Sequence, residues 1–442
     1  MTSGSITKHI ILFAIPLLLG NAFQLLYNTV DTWVVGNFVS DEAYSAVGSV
    51  GPIINMLIGF FSGLASGAGV VISQYFGAGK RDKVGVASHT SVVMTLVMCL
   101  LFTAVGVLGT PLFLRLMDTP EAVFPEAERY LTIYFAGISG LLLYNIGAGI
   151  LRAIGDSRRP FYFLVVSALL NTVLDLVFVI NFGMGVEGVA YATIISQGAS
   201  AVLVFITLFV TELPIRLTLS GMKPDMKVLG KIIGVGIPAA IQMAITSFSN
   251  IFVQGYINHF GKMAMGAWTT FHKLDQFLLL PMQTISIAAT TFVGQNIGAG
   301  QHERAKRGVR TSLLLSIISS AVIMIPLFIF APEACAFFND SPEIVSIAIK
   351  VVYWVTPMYL VCCYNQVMAA AMRGEGNSKV PMIIMITSFV GVRQLYLFIM
   401  ANFISNTFIP IVYAMPVGWI AATLMLFVYT RFNKKEKKSL VD

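Results

Sequence analysis

Twelve long apolar runs separated by short polar segments limit this chain to a membrane fold. A bilayer core about 30 Å thick needs roughly 20 apolar residues per spanning helix. Charged residues make up only 11% of the chain, against about 25% in soluble domains. The runs lie near residues 8–36, 44–76, 84–113, 123–151, 160–181, 187–211, 226–258, 265–297, 308–332, 343–372, 380–401 and 408–430. Because lipid offers the backbone no hydrogen bonds, we predict an all-α polytopic membrane protein with 12 transmembrane helices.

The Lys and Arg residues predict how these spans are oriented. Of the 28 Lys and Arg residues, 22 fall on the side of the membrane that holds the N-terminus. The positive-inside rule then places both termini in the cytoplasm, as expected for a multi-pass protein of the bacterial inner membrane. The same bias accounts for the net charge of +7, so we expect no nucleic-acid partner. The four cysteines lack metal-ligand spacing, so we expect no metal site and no other cofactor. We also expect the protein to be a monomer.

The chain repeats itself at a constant shift in residue number. The segment SQYFGAGK at 73–80 aligns with GQNIGAGQ at 294–301, and AGILRAIGDSRRP at 148–160 aligns with AAAMRGEGNSKVP at 369–381, so the shift is 221 in both cases. Two matches at one shift indicate a duplication of six spans. Since six is even, we predict two six-helix bundles related by a pseudo-two-fold axis along the membrane normal. The glycines of these segments favour tight cytoplasmic turns.

The duplication predicts the domain organisation. The predicted parts are an N-lobe at 1–211, a cytoplasmic linker at 212–225, a C-lobe at 226–432 and a basic cytoplasmic tail at 433–442.

Three acidic residues lie inside the predicted spans, and none of them is duplicated. Asp31, Asp175 and Asp275 correspond, at the shift of 221, to Phe252, Tyr396 and Ile54. A charged group inside the bilayer is costly, so an intramembrane carboxyl is a functional hypothesis by default.

Two of these acids and several polar residues are expected at one depth in the N-lobe. Asp31, Asp175 and Thr193 each lie six residues from the outer end of a span, or about 9 Å at a rise of 1.5 Å per residue. Helical spacing places Gln24 and Asn28 on the face of Asp31, and Asn171 on the face of Asp175. These residues predict a cation-coupling cluster. It could hold Na⁺ through its oxygens, share a proton between two carboxyls, or serve only as a polar contact between helices.

Asp275 suggests a second intramembrane feature. Arg393 lies at a depth that permits an ion pair with Asp275, and Lys273 is an alternative partner. Such a pair could be functional or could only fix helix packing.

Over nearly its whole length the chain resembles the multidrug and toxic compound extrusion (MATE) transporters. The motifs that carry the resemblance are IPLLLGNAFQLLYNTVDTWVVG, ILRAIGDSRRP, NTVLDLVF and LPMQTISIAATTFVGQNIGAG. The resemblance implies a cation site at Asp31 and Asp175, with Gln24, Asn171 and Thr193 at the matching polar positions. It also implies a bend of span one near Pro16. Some members carry coupling acids on spans seven and ten, where this chain has none before Glu375.

These observations favour a secondary antiporter. We expect it to export amphipathic or cationic small molecules in exchange for H⁺ or Na⁺ by alternating access. The alternative is a flippase for lipid or lipid-linked oligosaccharide, which would favour a more basic cavity and extra helices. A membrane enzyme is disfavoured because HExxH, GxSxG and histidine clusters are absent from the sequence. A purely structural protein would not explain acids at one depth in one half only.

Overall fold

The spans form helices along almost their whole length. A computed structural model describes residues 1–117, 119–432 and 439–441. Within these ranges no strand is found, and eleven helices are long and apolar enough to cross a membrane. A twelfth span is formed by two helices, Phe124–Ala136 and Ile138–Ala153, which meet at a bend of 46°. The prediction of an all-α membrane protein with twelve spans is confirmed. Most of the predicted basic tail lies outside the described residues.

The first six spans contain seven α-helices. They are α1 (Ile6–Phe38), α2 (Asp41–Gly77), α3 (Arg81–Leu116), α4 (Phe124–Ala136), α5 (Ile138–Ala153), α6 (Arg158–Leu176) and α7 (Gly185–Val210). A π-helix, Val177–Asn181, completes span five after α6.

The second half contains ten α-helices, of which α11 lies between two spans. They are α8 (Met226–Asn258), α9 (Gly261–Gly298), α10 (His302–Ile329), α11 (Ala331–Phe338), α12 (Pro342–Val355), α13 (Tyr359–Gly374), α14 (Lys379–Ile386), α15 (Arg393–Ile399), α16 (Phe408–Val412) and α17 (Ala414–Phe432). Span eleven is formed by α14, the π-helix Thr387–Val392, α15 and the π-helix Met400–Ile404.

The duplicated glycine turns have nearly identical backbones. Gly79 has φ +71° and Gly300 has φ +72°, a left-handed conformation that costs a residue with a Cβ about 1–2 kcal/mol. In each turn the residue after the glycine donates its N–H to a carbonyl five residues earlier, Lys80 to Tyr75 at 3.1 Å and Gln301 to Asn296 at 2.8 Å. These bonds satisfy carbonyls that the helix end would leave open. The glycines therefore serve the turn, as the sequence indicates.

Span eleven contains a π-helical segment that span five lacks. Residues Thr387–Val392 are π-helical, whereas the corresponding residues 166–171 of the first half are part of α6. Because a π-helix bonds each carbonyl to the N–H five residues later instead of four, it accommodates one extra residue. Beyond this segment the two halves are related by a shift of 222.

Hydrogen bonds join the segment before α8 to His89 and Thr90 of α3. The backbone N–H of Thr218 donates to His89 Nε2 at 2.9 Å, and that of Asp225 donates to Thr90 Oγ1 at 3.1 Å. The Asp225 carboxylate accepts hydrogen bonds from the backbone N–H groups of Lys227 and Val228 at the start of α8. These bonds, with the nearby lysines, hold the pKa of Asp225 below its usual range. An ionised cap of this kind begins the helix.

The chain contains two compact units, each with its own core. One comprises Ile15–Ile237 and Val441, and the other includes Met1–Ala14 and Pro238–Leu440. The core of the first packs around Phe61, Leu131 and Phe135. The core of the second is built on large buried side chains that include Trp268, Phe271, Tyr359 and Trp419. The lobe and linker boundaries drawn from the sequence stay a prediction.

Candidate cation-coupling site

The acids of spans one and five lie on helices that pack together. A Cβ built on Gly20 of α1 would lie 3.2 Å from Cδ2 of Leu164 on α6, and the rings of Phe23 and Phe161 are 6.3 Å apart. Further along the same helices, Asp31 is 8% exposed and Asp175 is fully buried. The two carboxyl groups are close enough to interact electrostatically. The structure therefore brings together the two acids singled out by the sequence.

Polar atoms without hydrogen bonds are concentrated around these acids. Oδ1 of Asp31, both carboxyl oxygens of Asp175 and both amide atoms of Asn171 are buried, and among the described residues no other group hydrogen-bonds to them. The two carboxyl groups lie within hydrogen-bond reach of each other, a contact that forms a hydrogen bond only when one of them holds a proton. The large majority of buried side-chain polar atoms in proteins have a hydrogen-bond partner. Five such atoms on three neighbouring residues therefore mark a place that a further partner would complete.

The remaining residues of the predicted cluster differ in how far they are buried. Thr193 on α7 is 6% exposed, and its hydroxyl donates to the Val189 carbonyl at 2.9 Å. The Thr193 oxygen also lies within hydrogen-bond reach of Tyr130. Gln24 is partly buried, and Asn28 is exposed. The structure thus places Thr193 inside the protein with the acids and Asn28 at its surface.

The tyrosines of this site were not predicted from the sequence. Tyr130 on α4 is 5% exposed and lies beside Thr193 and both carboxyl groups. Its ring stacks on that of Tyr134, one helical turn away, at 6.4 Å and an interplanar angle of 15°. Tyr27 on α1 lies next to Asp31 and Gln24. The spacing of Tyr130 and Tyr134 by four residues was the only available signal, and it is equally typical of simple packing.

The oxygens of this cluster suit a small hard cation or a proton. Carboxylate, amide and hydroxyl oxygens are the ligands that such cations prefer, and two adjacent buried carboxyls can also share a proton. Among the described residues there is no group of three or more His, Cys, Asp or Glu side chains that could hold a metal ion.

The second half carries different residues at the matching positions. Pro16 of α1 corresponds to Pro238 of α8, a shift of 222 in numbering, so Asp31 corresponds to Val253 and not to Phe252. Beyond the π-helix of span eleven, the same shift pairs Asp175 with Leu397 and not with Tyr396. Val253 and Leu397 are both buried in an apolar core. The corrected correspondence keeps the conclusion that neither acid is duplicated.

The predicted pair between Asp275 and Arg393 is not formed. Within the described part of the chain, the basic group near Asp275 is His272, whose Nδ1 lies 3.4 Å from Oδ2 of the acid. Arg393 donates to neutral atoms on α8 and to a carbonyl of its own span. Lys273 lies over the ring of Phe338 at 5.5 Å. The prediction failed because matching depth does not fix the direction in which a side chain leaves its helix.

Pro16 lies inside α1. It is the second residue of the compact unit Ile15–Ile237, since Met1–Ala14 belongs to the unit that includes Pro238–Leu440. Proline removes one backbone donor and disfavours a straight helix. The role of Pro16 as the site of a functional bend stays a prediction.

Comparison with known proteins identifies the family. The family model described as MatE matches this chain twice, over residues 16–177 and 238–399. The chain belongs to the MatE family. The starts of the two matches, and likewise their ends, differ by 222 in numbering. This agrees with the corrected shift, and the double match confirms the duplication.

Relatives and solved structures agree with the MatE assignment. The chain is 29% identical over 441 residues to the "Probable multidrug resistance protein YoeA" of Bacillus subtilis, covering 98% of this chain and 95% of that protein. It is 27% identical over 402 residues to the "Probable multidrug resistance protein NorM" of Thermotoga maritima, covering 90% and 86%. A solved outward-facing MATE family transporter matches with a TM-score of 0.92 at 22% identity, over 98% of both chains. This last likeness shows the fold.

Proposed function

We propose that this MatE protein is a secondary antiporter that exports small organic molecules in exchange for H⁺ or Na⁺, with the ion bound at Asp31 and Asp175. The observation that carries the proposal is the group of five buried polar atoms on Asp31, Asn171 and Asp175 that lack hydrogen bonds. The relatives named for multidrug resistance support the export of drug-like compounds.

The proposed ion acts by favouring one conformation over another. A ligand shifts a conformational equilibrium only by its difference in affinity for the two states. Asp31, Asn171 and Asp175 lie on two different helices, so a cation bound among them draws α1 and α6 together. Alternating access then follows if the substrate is bound tightly in the state from which the ion is absent.

Amphipathic cations are the proposed substrates, and the bacterial inner membrane is the proposed location, with both termini cytoplasmic and the protein a monomer. The excess of Lys and Arg on one side supports this orientation. The flippase alternative has no specific contact in this site to support it.

The test uses the purified protein in vesicles that hold a fluorescent cationic dye, with a pH gradient or a Na⁺ gradient imposed alone. We expect one of the two gradients to drive transport in the wild type. We expect Asp31→Asn to reduce gradient-driven transport about 5- to 150-fold, the range of typical coupling free energies, while downhill dye exchange continues. Full gradient-driven transport by Asp31→Asn would overturn the assignment of the ion site, and lipid scrambling without ion dependence would support the flippase instead.

A further inference from the structure

The second half of the chain buries a cation at the position where the first half has an amide. With the shift of 222 in numbering, Arg393 corresponds to Asn171, and Asn250 corresponds to Asn28. Arg393 is 2% exposed and lies at the first turn of α15, directly after the π-helix Thr387–Val392. Such π-helical turns occur often at functional sites, and this one has no counterpart in the first half.

All the hydrogen-bond acceptors of Arg393 are uncharged. Its Nη1 donates to Oδ1 of Asn250 at 3.0 Å, its Nη2 to Oγ of Ser249 at 2.5 Å, and its Nε to the carbonyl of Phe389 at 3.1 Å. Gln394 donates to the same Ser249 hydroxyl at 2.9 Å. Among the described residues no carboxylate lies within ion-pair distance of the guanidinium. Its full charge is therefore buried without a counter-charge, which is costly inside a membrane.

A second buried arginine of this half, Arg373, also donates to an uncharged acceptor but differs from Arg393 in being duplicated. Arg373 is 6% exposed and donates to Oε1 of Gln242 at 3.4 Å. It belongs to the duplicated loop motif and matches Arg152 of the first half. Arg393 has no such duplicate.

The Arg393 cluster, comprising Arg393, Ser249, Asn250 and Gln394, reaches the surface of its unit. Asn250 is exposed and Gln394 is partly exposed, so rotation of the Asn250 side chain would open Nη1 to a ligand. A guanidinium presents paired N–H donors that match the oxygens of a carboxylate or phosphate group. We propose that the Arg393 cluster binds the carboxylate or phosphate group of an amphipathic organic anion. This deepens the proposed transport function, on which it rests, by adding anionic compounds to its substrates.

Equilibrium binding tests the proposal without any ion gradient. The full-length protein is placed in nanodiscs of zwitterionic lipid, and carboxyfluorescein is titrated while its fluorescence anisotropy is measured. We expect Arg393→Gln to weaken binding at least about tenfold, because a charge-assisted bidentate contact is lost. Arg393→Lys retains part of the affinity, since it keeps the charge without the planar fork. The matched control Arg373→Gln keeps wild-type affinity.

A second variant keeps the test valid if Arg393→Gln fails to fold. Asn250→Asp is nearly isosteric at an exposed position and supplies the missing counter-charge beside the guanidinium. We expect it to weaken carboxyfluorescein binding as much as Arg393→Gln does. Wild-type affinity in folded Arg393→Gln or in Asn250→Asp would overturn the proposal.

Two further measurements identify the source of the anion and distinguish the anion site from the proposed ion-coupling site. If nanodiscs containing phosphatidylglycerol weaken dye binding to the wild type, the anionic group is also supplied by a lipid headgroup. If they leave it unchanged, the site selects the soluble anion. Asp31→Asn is expected to bind carboxyfluorescein normally, so a failure of ion coupling leaves the anion site intact.

Discussion

The α1–α6 region of the first half and the α8–α15 region of the second half share an origin but carry opposite charges. In the first, Asp31 and Asp175 are buried with oxygens that lack hydrogen bonds. In the second, Val253 and Leu397 replace the acids, and Arg393 replaces Asn171. Each buried charge costs about 2.5–3.5 kcal/mol on insertion scales. Duplication thus conserved the helix scaffold while the polar chemistry of the two halves diverged.

The two duplicated glycine turns should respond equally, and most strongly, to substitution. Gly79→Ala and Gly300→Ala should each destabilise the protein by about 1–2 kcal/mol, because both positions need a left-handed backbone and an added Cβ meets open space at both. Thermal unfolding of the two variants measures this. Gly48→Ala, within α2 and also facing open space, is the control and should not destabilise the protein. A clear difference between the two turn variants would show that the scaffolds are not equivalent.

A smaller effect is expected from Tyr130, which lies beside both carboxyls and Thr193. Tyr130→Phe should raise the half-saturating concentration of the coupling ion about 2- to 10-fold, because a net hydrogen bond contributes about 0.5–1.5 kcal/mol. Initial rates of dye transport at varied ion concentration measure this. Tyr162→Phe, at an exposed position on α6, should leave the ion dependence unchanged. An unchanged ion dependence in Tyr130→Phe would remove this tyrosine from the site.

Hydrophobic run lengths and the internal repeat were enough to predict the fold, because a membrane permits few alternatives. The acids Asp31 and Asp175 could also be found from sequence, since their burial in lipid demands a reason. Tyr130 could not, because a tyrosine in an apolar run looks like a packing residue until its neighbours are known.

Two further features were hidden for geometric reasons. The π-helix of span eleven adds one residue after the second repeated motif, and α1 and α8 already differ by 222 before the first one, so the two motifs alone could not reveal the shift of 222. The expected contact between Asp275 and Arg393 failed because depth along a helix says nothing about rotation around its axis. The prediction that Asp275 and Arg393 lie inside spans did not fix which side chains they contact.

The most direct test compares Asp175→Asn with Asp275→Asn in vesicles under the driving ion gradient. Both residues are buried acids within spans, but only Asp175 belongs to the proposed ion site, whereas Asp275 contacts His272. We predict that Asp175→Asn loses gradient-driven dye transport while keeping downhill exchange, and that Asp275→Asn retains both. Retention of gradient-driven transport by Asp175→Asn, together with its loss in Asp275→Asn, would place ion coupling in the second half and contradict this account.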